Sequence, residues 1–267
     1  SAAMGGSVGG GATGGTWTGG AGTWTNATDV ANATYTASSG ESGSITLTLT
    51  TSGGSCGTTT DTKSITVNAN PTASAGSGLS AICQSGTSAA MGGSVGGGAT
   101  GGTWSGGSGS WSNATNVSTA TYTTASESGS ITLTLTTSGG SCGTTTATKS
   151  INVYTAFSAG AINTTGESVA CGGDPATIGS SSAASGGDGS ISYQWKKNGS
   201  VLASSNSATY DPSISDGPGT YTREAKDGTC EGSFTASTGS WVVSNPSSPS
   251  ISGASIDMCL PVFFKDC

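Results

Sequence analysis

The stretch Ser44-Ile45-Thr46-Leu47-Thr48-Leu49-Thr50-Thr51 sets apolar residues and threonines in strict alternation. Period two puts Ile45, Leu47 and Leu49 on one face and Thr46, Thr48 and Thr50 on the other. That is a strand with one side in a core and one in water. The same eight residues return at Ser130–Thr137, inside a longer repeat: Glu41–Thr60 recurs as Glu127–Thr146, and Ser1–Trp17 recurs as Ser88–Trp104. The offsets are 86 (127 − 41) and 87 (88 − 1), so one residue is lost around Ser38–Gly40. A period of that size exceeds the roughly 20 to 50 residues of a solenoid unit and suits a whole β-sandwich of about 100 residues.

Around the Ile–Leu strand the other elements are legible. Thr16-Trp17 and Thr23-Trp24 flank Gly19, Gly20 and Gly22, which predicts a hairpin with a glycine turn. Ala33–Thr36 predicts a strand, Ser52–Ser55 a turn, and Lys63–Val67 a closing strand. No segment carries helical apolar spacing, so the class is all-β. The 267 residues include 47 glycines and are only 32% hydrophobic. Regular recurrence of Trp, Tyr, Ile and Val nevertheless separates the chain from disordered sequence.

Net charge is −7, from seven basic and fourteen acidic residues. No basic stripe exists, which argues against nucleic-acid binding, and no apolar run of about eighteen residues argues for membrane insertion. Acidic residues are scattered singly, unlike a calcium loop. The chain has no histidine, so acid–base catalysis at neutral pH would fall to carboxylates, Lys or Tyr with shifted pKa. The repeats offer few: Asp29, Glu41 and Asp61 in the first, Glu127 in the second. The expectation is that the protein is not an enzyme and needs no cofactor. Trp17, Trp24, Trp104 and Trp111 are candidate stacking platforms for surface glycans, or else core and cross-strand packing residues. Six Asn-X-Ser/Thr sequons, at Asn26, Asn32, Asn113, Asn116, Asn163 and Asn198, would matter only in a source that glycosylates secreted Asn. An outward threonine row also suits an ice-binding face, although Thr is an ordinary residue of a solvated sheet.

The seven cysteines obey a ruler. Cys83 and Cys142 are 59 residues apart, as are Cys171 and Cys230. Each pair brackets one repeat, and the spacing predicts one disulfide within each. Structural zinc would need close-spaced Cys and His pairs. Disulfides imply an oxidising compartment, hence an extracellular, cell-surface location. The ruler places the opening partner of Cys56 ahead of Ser1, and it places Cys259 where a further repeat would open. Two readings stand side by side. The chain is a window on a longer array, or the apolar tail Ser255–Cys267 of one copy completes the first repeat of the next, with Cys56 and Cys259 as the candidate link.

In the third repeat Ser192-Tyr193-Gln194-Trp195-Lys196-Lys197-Asn198-Gly199 resembles the third strand and turn of an immunoglobulin domain. Asp216-Gly217-Pro218-Gly219-Thr220-Tyr221 is similar to the tyrosine corner. Two residues after that Tyr, Arg223 stands where antibody domains have Cys, so the usual sheet-crossing disulfide is missing. Ala81-Ile82-Cys83-Gln84-Ser85-Gly86-Thr87, Gly-Gly-Ala-Thr-Gly-Gly-Thr-Trp, Ala-Thr-Tyr-Thr and Ser-Ile-Thr-Leu-Thr-Leu-Thr-Thr resemble the immunoglobulin-like or PKD-like repeats of large secreted Bacteroidetes surface adhesins. The resemblance implies export by type 9 secretion and gliding- or adhesion-associated filaments. The expected organisation is tandem disulfide-stapled immunoglobulin-like sandwiches: repeat 1 over 1–70 without its opening strand, repeat 2 over 71–154, a divergent repeat 3 over 155–245, and 246–267 as linker plus opening or donor strand. The expected partners are neighbouring copies or flanking repeats of the same protein, with a carbohydrate-binding array of a larger hydrolase as the alternative.

Overall fold

The computed structural model describes residues 1–170 and 172–246. Every element among them is a strand. In repeat 1 these are β1 (Gly14–Thr18), β2 (Thr23–Thr25), β3 (Thr34–Thr36), β4 (Gly43–Ser52) and β5 (Thr60–Val67). Strands β1, β4 and β5 form one antiparallel sheet and β2 pairs with β3 in the facing layer. Met4, Trp17, Ala33, Tyr35, Leu47 and Leu49 are buried between them. The alternation read from β4 therefore points as its sequence requires, with Leu47 and Leu49 inward.

The hairpin expected from Trp17 to Trp24 does not form. Strand β1 pairs with β4 and β2 with β3, so the connection crosses between layers. Gly19 and Gly20 do take positive φ there (99° and 72°). Both tryptophans then face the same core, where their rings stack at 6.0 Å. Burying Trp17 fully and Trp24 in part removes more apolar surface from water than a solvent-facing cross-strand pair would.

Repeat 2 contains β6 (Pro71–Ser74), β7 (Ile82–Cys83), β8 (Ser94–Gly97), β9 (Gly101–Ser105), β10 (Ser110–Ser112), β11 (Thr121–Thr123), β12 (Gly129–Ser138) and β13 (Thr146–Tyr154). Its main sheet runs β7-β13-β12-β9, with β7 added parallel to β13. Met91, Trp104, Tyr122, Leu133, Leu135, Ile151 and Val153 fill the core. Gly107 shows why its turn is glycine: φ is +68°, and a Cβ there would fall 2.0 Å from the Tyr122 hydroxyl.

Repeat 3 contains β14 (Ala161–Ile162), β15 (Glu167–Ser168), β16 (Ser180–Ser182), β17 (Ser192–Lys197), β18 (Ser200–Val201), β19 (Gly219–Lys226), β20 (Thr235–Ala236) and β21 (Trp241–Ser244). The large sheet is ordered β15-β21-β19-β17-β18, with β20 on β19 and β15 parallel to β21. Trp195 is fully buried at its centre beside Ile162, Ile178, Tyr221 and Val243. The Tyr221 hydroxyl donates to the Gly217 carbonyl at 2.8 Å, closing the tyrosine corner. The fold is all-β, a tandem of immunoglobulin-like sandwiches tied by a disulfide.

Candidate functional site: the junctions between repeats

The disulfide is not the one the spacing predicts. Cys83 bonds Cys230, with Cα atoms 5.6 Å apart and a sequence separation of 147. Cys142 is exposed and has no disulfide partner among the described residues, and the same holds for Cys56. Cys171, the expected partner of Cys230, lies outside the described residues, as does Cys259. The physical reason is placement. Strand β7 carries Cys83 along β13 to the end where repeat 3 begins, in register with Tyr154. Cys142 sits on the β12–β13 turn, which closes beyond Thr136 and Thr146 at the opposite end of that ladder. The turn after β19 carries Cys230 back toward repeat 2. The staple thus joins successive repeats. Closing a loop of 147 positions constrains the unfolded chain by about 5 kcal/mol on the chain-entropy model.

The junction is built from backbone and a few polar side chains. Gln84 donates its amide nitrogen to Tyr154 O (2.9 Å) and its side-chain Nε2 to Ser126 O (2.6 Å), while Ala156 N donates to its Oε1 (2.8 Å). The loop that presents Cys230 is wound around Asp227. This buried carboxylate accepts the backbone N–H groups of Asp188 (3.1 Å), Thr229 (3.2 Å), Cys230 (2.9 Å) and Glu231. Burial opposes its charge, but those hydrogen bonds prevail and hold Asp227 below the usual carboxylate range. Sequence reasoning passed over Asp227. Its place in Asp227-Gly228-Thr229-Cys230, a turn-type Asp before a cysteine, was the available signal.

The missing antibody-type staple is replaced by Arg223, which is wholly buried. Its guanidinium donates to Ser237 Oγ (3.0 Å), Ala208 O (2.9 Å), Ala159 O (3.1 Å) and Ser180 Oγ, and lies 5.2 Å from the Tyr193 ring centroid. One side chain thereby gathers four separate segments of repeat 3.

The tryptophans divide into two kinds. Trp17 and Trp104 are core residues, 4% and 1% exposed, with each indole N–H donated to a backbone carbonyl, Val30 and Val117, at 2.9 Å. They are unavailable as glycan platforms, because a buried indole offers no face to a sugar. Trp24 and Trp111 are half-buried, stacked on Trp17 and Trp104 and tilted against Tyr35 and Tyr122. All six sequon asparagines are exposed. Among the described residues no group of three or more His, Cys, Asp or Glu gathers, and no helix is long and apolar enough to cross a membrane.

No protein-family model matches the chain, and no curated protein matches it. Among solved structures it is similar to a three-immunoglobulin-domain fragment of titin, at 15% identity and TM-score 0.49, covering 87% of this chain and 88% of that one. It is also similar to the N-terminal eight immunoglobulin domains of Down syndrome cell adhesion molecule (14%, TM-score 0.48, 88% of this chain and 33% of that one). Extracellular cadherin domains of protocadherin Gamma B2 match at 10% identity and TM-score 0.41, over 86% of this chain and 65% of that one.

Proposed function

We propose that this chain is an extracellular stalk or fibre segment of a cell-surface adhesin. The observation that supports the reading most is the covalent tie across a repeat junction. A disulfide between successive sandwiches fixes their separation and demands an oxidising compartment. The chemistry of its surface agrees: sparse charge and threonine-rich sheet faces. Within this reading, the motifs shared with Bacteroidetes surface repeats point to export by type 9 secretion. Strand donation by the tail 255–267 into repeat 1 is the route by which copies would polymerise, and a Cys56–Cys259 link would need the donated strand in a register other than the one β7 takes on β13.

Negative-stain microscopy of the purified chain tests the stalk. Rods of constant length, or fibres that reductant shortens, are the expected images. Compact particles with repeats folded onto one another would exclude a stalk. A second reading rests on Trp24 and Trp111, each with part of one ring face open at an equivalent place in successive repeats. It assigns them to glycan contact. A glycan-array signal abolished by Trp24→Ala with Trp111→Ala would favour it, and an unchanged signal would remove it.

A further inference from the structure

Repeats 1 and 2 share most of their sequence, yet their closing strands have different surroundings. In repeat 2, β13 is flanked by β7, and Ala73, Ala75, Leu79 and Ile82 pack over the core edge. Ile151 and Val153 are 1% and 2% exposed there. Their counterparts Ile65 and Val67 are only half-buried, because among the described residues β5 is the edge of its sheet. Lys149 donates to Ser77 O and Met91 O (2.8 and 2.5 Å). Its counterpart Lys63 is exposed and donates to Met4 O alone among the described residues. A groove lined by Ser1, Tyr35, Ala37, Ile65 and Val67 runs along the open edge.

The thiol of Cys142 lies at the end of that groove. Its Sγ is 3.4 Å from Asn68 O. Asn68 corresponds to Tyr154 (154 − 86 = 68), the residue beside which β7 places Cys83. At the next junction, Cys230 reaches Cys83 from the equivalent turn of the following repeat. Cys142 therefore stands where a cysteine would be met if a strand lay on β5 as β7 lies on β13.

We infer that the outer edge of β5 is a strand-docking site for an extended segment of Ala-Ile-Cys-Gln type, and that Cys142 is the thiol that locks it. The docked strand runs parallel to β5, its isoleucine covers Ile65 and Val67, and its cysteine bonds Cys142. Adding a strand satisfies the unpaired edge as well as the apolar groove. Cys56 does not serve a strand in this register. It lies on the β4–β5 turn, beyond the Thr50–Thr60 end of the ladder, whereas Asn68 follows the Gly43–Val67 end. The two ends are about 23 Å apart at strand rise. The lock forms by exchange. The Cys142 thiolate, having released its proton, attacks the incoming cysteine of a mixed disulfide, and the small thiol leaves as a thiolate that takes up that proton.

The inference is independent of whether the protein forms a stalk, and its test needs no fibre. A synthetic peptide of residues 75–86, its cysteine carried as a glutathione mixed disulfide, is incubated with the full chain and the adducts are located by peptide mapping. Docking raises the local concentration at Cys142, so Cys142 takes the peptide about tenfold faster than Cys56, and hydrogen exchange slows at residues 65–68. A peptide with Ile82→Asp labels both thiols at the slower rate. Against Cys142→Ser protein, the slowing of exchange persists at high peptide concentration without an adduct at position 142. Equal labelling of Cys142 and Cys56, equal labelling by the Asp peptide, or unchanged exchange along β5 would each overturn the inference.

Discussion

Arg223 shows how one residue can do the work of a lost covalent bond. A guanidinium carries five donors in a fixed fork, and here it spends them on two carbonyls and two hydroxyls from four segments. Arg223→Ala leaves these buried acceptors without a donor and opens a cavity, so it should cost repeat 3 about 3 kcal/mol or more. Urea unfolding measures this directly, and a loss under about 1 kcal/mol would show the network to be incidental. The sequence announced that the usual staple was absent. It did not announce the substitute, because nothing local distinguishes a buried Arg from a solvated one. A second residue-scale device is the Tyr122–Glu127 contact, in which Gly109 N donates to the tyrosine oxygen (2.8 Å) and Ser108 N to the carboxylate (2.8 Å). Burial disfavours charge on Glu127, but hydrogen bonds from Tyr122 and Ser108 outweigh it and lower its pKa. Burial first, then the neighbouring carboxylate, raises that of Tyr122. The glutamate's contribution is thus complete above the ordinary carboxylate range and is lost as pH falls through its lowered folded value. The tyrosine's contribution is complete below about pH 10 and is lost as pH rises through its raised folded value. The melting-temperature gap between the natural chain and Glu127→Gln should therefore shrink below about pH 4. A gap independent of pH would refute the assignment.

At the scale of elements, the strands that alternate strongly were the most legible. The β4 and β12 strands sit as written in the sequence, since slipping either by one residue would turn Leu47 or Leu133 into water. What misled were features that fit two arrangements equally. Two Trp-bearing strands separated by glycines suit a hairpin or a crossing between layers, and only the packed core selects the second. The cysteine ruler has the same defect. A bond from each opening cysteine to the closing cysteine of its own repeat, or of the next, preserves the same regular spacing. Non-reducing peptide mapping should recover the peptide pair containing Cys83 and Cys230, and finding Cys83 joined to Cys142 would reinstate the within-repeat staple. Edge and centre can also be compared on matched residues. Ile151→Ala should cost about 2–5 kcal/mol, and Ile65→Ala less than half as much, because Ile65 already faces partial solvent. Comparable losses would mean that β5 is covered in solution.

At the scale of the whole molecule, the bond between Cys83 and Cys230 changes what happens when the two ends of the chain are pulled apart. Tension entering at Ser1 runs through repeat 1, reaches Cys83, and crosses directly to Cys230. Residues 84–229, which include nearly all the core of repeat 2 and the centre of repeat 3, lie off that line. Repeat 1 alone is in series with the force across its full length, and among the described residues no strand flanks β5 as β7 flanks β13. Single-molecule stretching should therefore show one early extension from repeat 1 in oxidising buffer. With reductant present, about 500 Å of further length should be released, the contour of the 147 positions that the bond conceals. Equal extension with and without reductant would show that the bond does not shelter them. The tie between repeats then acts as a mechanical bypass, setting a ceiling on how far two of the three sandwiches can ever be drawn out.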